Sequence, residues 1–313
     1  MPVAATEDFL NTLQAALPEG TFRAQKQGEL DDPRGRHVGL SAIVATPRTV
    51  EEVSTIVRLC HAADVGVVPL GGGTGLVLGQ VAYLDPAPVV LSMERMTAVR
   101  GVYPSENALV VEAGAILHDV QQAAEAVDRL FPLSLASEGS CRIGGNLATN
   151  AGGLNVLRYG NTRDLCLGLE VVLADGTIWH GLKRLRKDNT GYDLKNLMIG
   201  SEGSLGIITA ATLRLFPRPT HEAAAFFVVE SPQGAIDLLA LAQATIGEGI
   251  SAFEMMSGVG LDFLSETMPD VRQPFHPRPD WSVLIDVGLL GESDPQDMLL
   301  TLFEKAHAAG LVS

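Results

Sequence analysis

The sequence predicts an α+β fold in two parts, the second shorter and incomplete. Three observations predict it. Short apolar runs of strand length alternate with segments whose apolar residues recur at helical spacing. Glycine-rich clusters adjoin two of those runs. Pro217-x-Pro219 then divides the chain, and beyond it the pattern changes.

The elements follow in order. Phe9, Leu13 and Leu17 share one helical face and predict a helix from about Glu7 to Leu17. Thr49-x-x-Glu52 is a capping box, in which two side chains satisfy orphan N–H groups at a helix start. Val53, Ile56, Val57 and Cys60 then repeat at helical spacing. Val65 to Leu70 reads as a strand ending at the first glycine cluster. Val89-Val90-Leu91 and Ala108 to Ala113 read as further strands. Leu117, Val120, Ala124 and Val127 predict a helix within Ile116 to Leu130. From Glu138 to Gly160 the residues turn small, too small for an ordinary amphipathic element. Strand character resumes at Leu165 to Ala174, and Asp175-Gly176 is a tight turn into a return strand through Ile178. A third cluster, Gly200 to Gly206, leads into a strand from Ile207 to Leu215. Beyond the boundary come strand Phe226–Val229, helix Ala235–Thr245, strands Ala252–Met255 and Val283–Val287, and helix Gln296–Ala308. No further element closes this part before Ser313, so exposed apolar surface is expected there.

Composition narrows the function. The 313 residues carry a net charge of −15. Nucleic acid needs a basic surface for counterion release, and this chain offers none. The basic run Lys183-Arg184-Leu185-Arg186-Lys187 reads as a solvated turn. Cys60, Cys141 and Cys166 form no CxxC pair, which fits a reducing compartment. The N-terminus is acidic without an apolar signal core, and no transmembrane span is expected. A cytoplasmic address is the expectation.

Glycine is abundant, 33 residues. The cluster Pro69-Leu-Gly-Gly-Gly-Thr-Gly75 follows a strand, where consecutive backbone N–H groups can cradle a phosphate. The Rossmann spacing is not met, because Leu76 and Leu78 stand where its third glycine belongs. No Gly-Lys-Ser/Thr of a P-loop occurs. By itself the cluster also reads as a tight turn. Ser137 to Gly153 strengthens the ligand reading, with few bulky side chains and many hydrogen-bonding groups.

Together, Pro69–Gly75, Ser137–Gly153 and Gly200–Thr209 resemble the FAD-binding domain of the vanillyl-alcohol oxidase superfamily, the PCMH-type fold. Arg158-Tyr-Gly160, Gly168 to Gly176 and Leu185 to Lys195 are most similar to its D-2-hydroxyacid dehydrogenases: the D-2-hydroxyglutarate and D-lactate branch with the glycolate oxidase flavin subunit. The resemblance is dense over about residues 40 to 220. It implies an N-terminal lead-in over 1–36, a two-subdomain PCMH-type FAD-binding domain over 37–217 and a partial substrate domain over 218–313. It further implies that Pro69, Gly71, Gly72, Gly73, Thr74 and Gly75 cradle the diphosphate. Ser137, Glu138, Gly139, Gly144, Gly145, Asn146, Thr149 and Asn150 line the diphosphate, ribityl chain and ring edge. Gly153 packs under the ring, and Glu202, Gly203, Gly206, Ile207 and Ile208 lie at the adenine-ribose end or close the diphosphate site.

Where some relatives tether flavin through histidine, this chain has Gly73 and Thr74, and the branch resembled leaves the cysteine at Cys141 unbonded. Non-covalent FAD is therefore expected. The base and the divalent-metal site of the family lie in a histidine-rich stretch of a longer chain, absent from these residues. His37, His61, His118, His180, His221, His276 and His307 show no metal-ligand spacing. Metal is thus expected only with a missing C-terminal part, and the catalytic residues stay unassigned. Lys187, Asn189 and Tyr192 read equally as approaching the flavin or as a structural turn. The implied function is an FAD-dependent dehydrogenase oxidising a small D-2-hydroxyacid by hydride transfer to non-covalent FAD. The alternatives are a non-catalytic flavin-binding fragment or subunit, completed by a homodimer or partner chain, and a nucleotide-sugar reductase, against which the Arg158 to Lys195 motifs speak.

Overall fold

The computed structural model describes residues 2–313. They form two compact units. The first runs to Ala151 and resumes over Asn161–Pro217; the second comprises Gly152–Gly160 and Arg218–Ser313.

The first unit opens with helix α1 (Glu7–Ala15), whose N–H of Phe9 donates to the Thr6 hydroxyl at 3.2 Å. It is shorter than the apolar spacing implies; Leu13 is fully buried, but Leu17 lies past the end. A four-stranded sheet follows, built from β1 (Phe22–Arg23), β2 (Ile43–Ala45), β3 (Val67–Leu70) and β4 (Val89–Ser92) in the order β1-β2-β4-β3. β2 and β3 both run parallel to β4. Helix α2 (Val50–Ala62) makes the crossover that joins β2 to β3 on either side of β4. Thr49 caps α2 by accepting from the Glu52 N–H at 3.2 Å. The glutamate carboxylate reaches one residue further than a capping box requires, accepting from the Arg48 N–H at 2.8 Å. Val53, Ile56 and Cys60 are buried completely, as their spacing demands.

The second sheet of this unit is antiparallel throughout. Its strands are β5 (Val99–Tyr103), β6 (Ala108–Glu112), β8 (Cys166–Leu173), β9 (Ile178–Gly181) and β10 (Gly206–Arg214), in the order β5-β6-β10-β8-β9. The central strands β8 and β10 are buried along nearly their whole length, so they read as continuous apolar runs rather than alternation. Helix α3 (Leu117–Glu125) is shorter than predicted. Asp128 adopts φ +55°, which a helix cannot continue through. Arg129–Leu130 turn instead into a short strand, β7, that pairs with β11 (Phe216–Pro217). Inside the small-residue stretch a one-and-a-half-turn helix forms, α4 (Ile143–Ala148), where no regular amphipathic element was expected.

In the second unit, β12 (His221–Val229), β13 (Ile250–Ser257) and β14 (Trp281–Leu289) form an antiparallel sheet in the order β12-β14-β13. Helices α5 (Pro232–Ile246) and α6 (Pro295–Ala308) cover one face. Phe227, Val283, Ile285 and Val287 meet Leu238 and Leu302 there. Phe226, one residue out of phase, points from the other face and is exposed. Ile236 and Leu300 on these two helices, and Phe263 on the helix Gly258–Thr267, also stand exposed.

Candidate functional site

Three segments of the first unit converge on a cleft of about 300 Å³. The loop after β3, the start of α4 and the loop entering β10 make its walls. Every residue singled out as a cofactor contact lines it except Glu138, Gly139, Asn150 and Gly153. Asn150 serves the loop itself, taking φ +48° and accepting from the Arg163 N–H at 2.9 Å. Gly139 has nothing within 4 Å of its Cβ position, so no close approach explains it. Gly153 falls in the second unit.

The glycines have separable reasons. A Cβ on Gly72 would sit 2.3 Å from the Ser140 carbonyl oxygen and 2.8 Å from the Cys141 Cα. That is backbone against backbone, and it locks the first glycine loop to the second. At Gly145 the nearest atom to an added Cβ is the Gly71 Cα, 4.0 Å away. No protein contact forbids a side chain there, and the position lies on the cleft wall. The loop also holds its donors in reserve. Among the described residues, no backbone N–H from Gly71 to Leu76 donates within the protein. Free N–H groups in sequence form an anion cradle. Gln80 holds the loop open by donating from Nε2 to the Gly75 oxygen at 2.7 Å. These three observations, a cleft wall that a side chain would fill, unbonded donors and a braced loop, fit a ligand carrying a diphosphate.

Sequence reasoning missed Gln80 and Arg142, both on the wall. Gln80 offered no signal, since its role depends on the loop folding back. Arg142 lies inside the Ser137–Gly153 stretch and was passed over among small neighbours. Its guanidinium donates to the Gly114 carbonyl. It is the one Lys or Arg side chain among the lining residues, and Glu202 the one carboxylate. No histidine or cysteine lines the cleft. Cys141 is buried with its sulfur 3.5 Å from Asn146 Nδ2. Burial pushes the Cys60 and Cys166 thiols up to about 12, so neither is a nucleophile at neutral pH.

Lys187, Asn189 and Tyr192 do not line this cleft. Tyr192 is 94% exposed. Among the described residues no three His, Cys, Asp or Glu side chains gather as a metal site requires, and no helix is long and apolar enough to cross a membrane. In the second unit, Arg158 donates to the Gly288 oxygen at 2.7 Å and the Ser251 hydroxyl at 3.2 Å. Nearby, burial raises the Asp286 carboxyl above the ordinary carboxylate value, against the opposing pull of the Val287 N–H and Arg158.

The site and fold define a class. Residues 41–181 match the FAD binding domain family. Two solved structures share the fold over 98% of this chain: alkyldihydroxyacetonephosphate synthase, with a TM-score of 0.78 at 19% identity and 60% of that chain covered, and p-cresol methylhydroxylase with substrate bound, with 0.76, 17% and 66%. The α+β, PCMH-type architecture is therefore the fold of this protein. The sequence itself is 40% identical over 316 residues to D-2-hydroxyglutarate dehydrogenase of Bos taurus, covering 98% of this chain and 56% of that one. The chain spans about half the length of the curated relatives it matches.

The expected cytoplasmic address is corrected. The relatives from Bos taurus, Rattus norvegicus and Arabidopsis thaliana are mitochondrial proteins by name. Buried, unpaired thiols are compatible with any reducing compartment. They never distinguished the cytoplasm from another one.

Proposed function

We propose that this chain binds FAD without a covalent bond in the glycine-lined cleft and serves the oxidation of a D-2-hydroxyacid. The observation that carries the proposal is the run of unbonded N–H groups from Gly71 to Leu76 on a cleft wall that Gly145 keeps open. The 40% identity to a D-2-hydroxyglutarate dehydrogenase supports the substrate class. Residues 37–217 are read as the flavin domain, and 218–313 as part of a substrate domain.

Bound flavin supplies the hydride acceptor; the protein supplies position and charge. The Gly71–Gly75 amides neutralise the diphosphate by charge-assisted hydrogen bonds. Arg142 adds the single positive side chain of the cleft. Ser137, Asn146 and Thr149 offer polar groups along the wall, and Ile207 and Ile208, both nearly buried, exclude water behind it. Glu202 is read at the ribose end, where hydroxyls can donate to its carboxylate; against the diphosphate it would repel.

The test is anaerobic. Purified, flavin-loaded protein is mixed with D-2-hydroxyglutarate, D-lactate or glycolate, with L-2-hydroxyglutarate as control. Bleaching of the flavin band by a D-acid and not by the L-acid is expected. A second reading, that the chain holds flavin but needs further residues for turnover, is favoured by the absence of a grouped metal-ligand set among the described residues. Flavin retained with no bleaching by any acid decides for it; no flavin bound refutes both.

A further inference from the structure

The first unit holds another cavity, of about 570 Å³, between the start of β8, strand β9 and the loop from Lys183 to Asn196. It shares no lining residue with the glycine-lined cleft. Five lining side chains are cationic, Arg163, Lys183, Arg186, Lys195 and Arg214, against three aspartates. In a chain of net charge −15, that excess is local and unusual.

The aspartates balance only part of it. Asp164 accepts from the Asn161 N–H at 2.9 Å. Asp193 caps the helix Leu194–Met198 by accepting from the Asn196 N–H at 3.2 Å. Asp188 pairs with Lys183 at 2.7 Å, which accounts for one cation. Two more are used in the loop: Arg163 donates to the Ile199 oxygen at 2.7 Å, and Lys195 donates to Asn196 Oδ1 at 3.0 Å and lies 3.9 Å from Asp193 Oδ1. Arg186 and Arg214 remain. Among the described residues neither has an ion-pair partner; Arg214 lies over the Phe216 ring, 4.3 Å from its centre. Arg214 is half-buried at the cavity wall. Burial first, and the charge of Arg186 second, pull it below the usual guanidinium value.

Two guanidinium groups that repel each other at a polar cavity are costly when left alone. Each presents a planar fork of donors that matches a carboxylate or phosphate. We propose that the cavity at Arg186 and Arg214 binds a small doubly charged oxyanion, phosphate or a dicarboxylate, at a site separate from the flavin cleft. The side chains that pair within the loop set its shape, and the two arginines supply the charge.

Isothermal titration of the flavin-loaded protein at low ionic strength tests this, with inorganic phosphate in one arm and succinate in the other. One-to-one saturable binding of at least one anion is expected, and the arm that saturates names the source. Arg214→Gln and Arg186→Gln are each expected to weaken it at least tenfold while the bound flavin stays at wild-type stoichiometry. Arg186 is exposed, so its variant keeps the fold and decides the matter even if Arg214→Gln is unstable. Failure of the wild type to bind either anion overturns the proposal. So does undiminished binding by Arg186→Gln, or binding of poly-glutamate alone, which would make the cavity a surface for acidic polypeptides.

Discussion

Gly145→Ala separates the stability of the fold from the binding of flavin, because the two are expected to move in opposite directions. The residue lies inside helix α4, where glycine costs roughly 0.5–1 kcal/mol relative to alanine. The new Cβ would meet only the Gly71 Cα, at 4.0 Å, an ordinary contact. The flavin-free protein should therefore gain up to about 1 kcal/mol, or roughly 2–4 °C in Tm. The same methyl group enters the cleft between the two glycine loops. Overpacking of a fitted site costs about 1–3 kcal/mol, and about 1.4 kcal/mol is tenfold in affinity, so FAD should bind roughly five- to a hundredfold more weakly. Thermal melts with and without FAD, and quenching of flavin fluorescence on titration, read the two effects separately. An unchanged FAD affinity together with a raised Tm would show that the Gly145 face is not in the flavin site, and the cradle argument would fail.

Three other outcomes follow from the same geometry. Gly72→Ala should lower the stability of the flavin-free protein itself, by about 1–3 kcal/mol, since its Cβ would lie 2.3 Å from the Ser140 oxygen; a melting temperature equal to wild type contradicts the locked-loop account. Acid precipitation should release all flavin into the supernatant, because no cysteine or histidine lines the cleft; a yellow pellet refutes non-covalent binding. Asp32 accepts from Arg36 Nε at 2.7 Å and from the N–H groups of Arg34 and Arg36, which hold its carboxyl down at about 2 against an ordinary 3.8. A depressed value stabilises the folded state above the ordinary one, and that stability is lost as pH falls towards 2. Asp32→Asn should thus be less stable than wild type in urea at pH 7, with the difference vanishing near pH 2; a constant difference across that range counts against the pairing.

Much of the core was legible in the sequence. Helix α2 followed from Thr49 and the spacing of Val53, Ile56 and Cys60, because capping and helical burial are local. The strands β8 and β10 followed from apolar runs bounded by glycines. The end of α3 did not, since Val127 continued the apolar spacing while Asp128 left the helical conformation and Arg129–Leu130 paired with residues 216–217. Such a pairing is a contact across some ninety positions and leaves no local pattern. Gln80 is the same case at the cleft, a side chain whose meaning depends on a loop returning to it.

The sequence by itself excluded the Rossmann and P-loop patterns, because glycine spacing is a property of the backbone and can be read in order. It also carried the likeness to FAD-binding hydroxyacid dehydrogenases. Only the tertiary structure decided which glycines face open space and which lock backbone to backbone, since a missing Cβ looks identical in the sequence at Gly72 and Gly145. It alone showed that Arg186 and Arg214, twenty-eight positions apart, share a cavity, and that among the described residues neither has an ion-pair partner. Charge is written along the chain, but whether a charge has a partner is settled by distance, and distance exists only in the folded molecule.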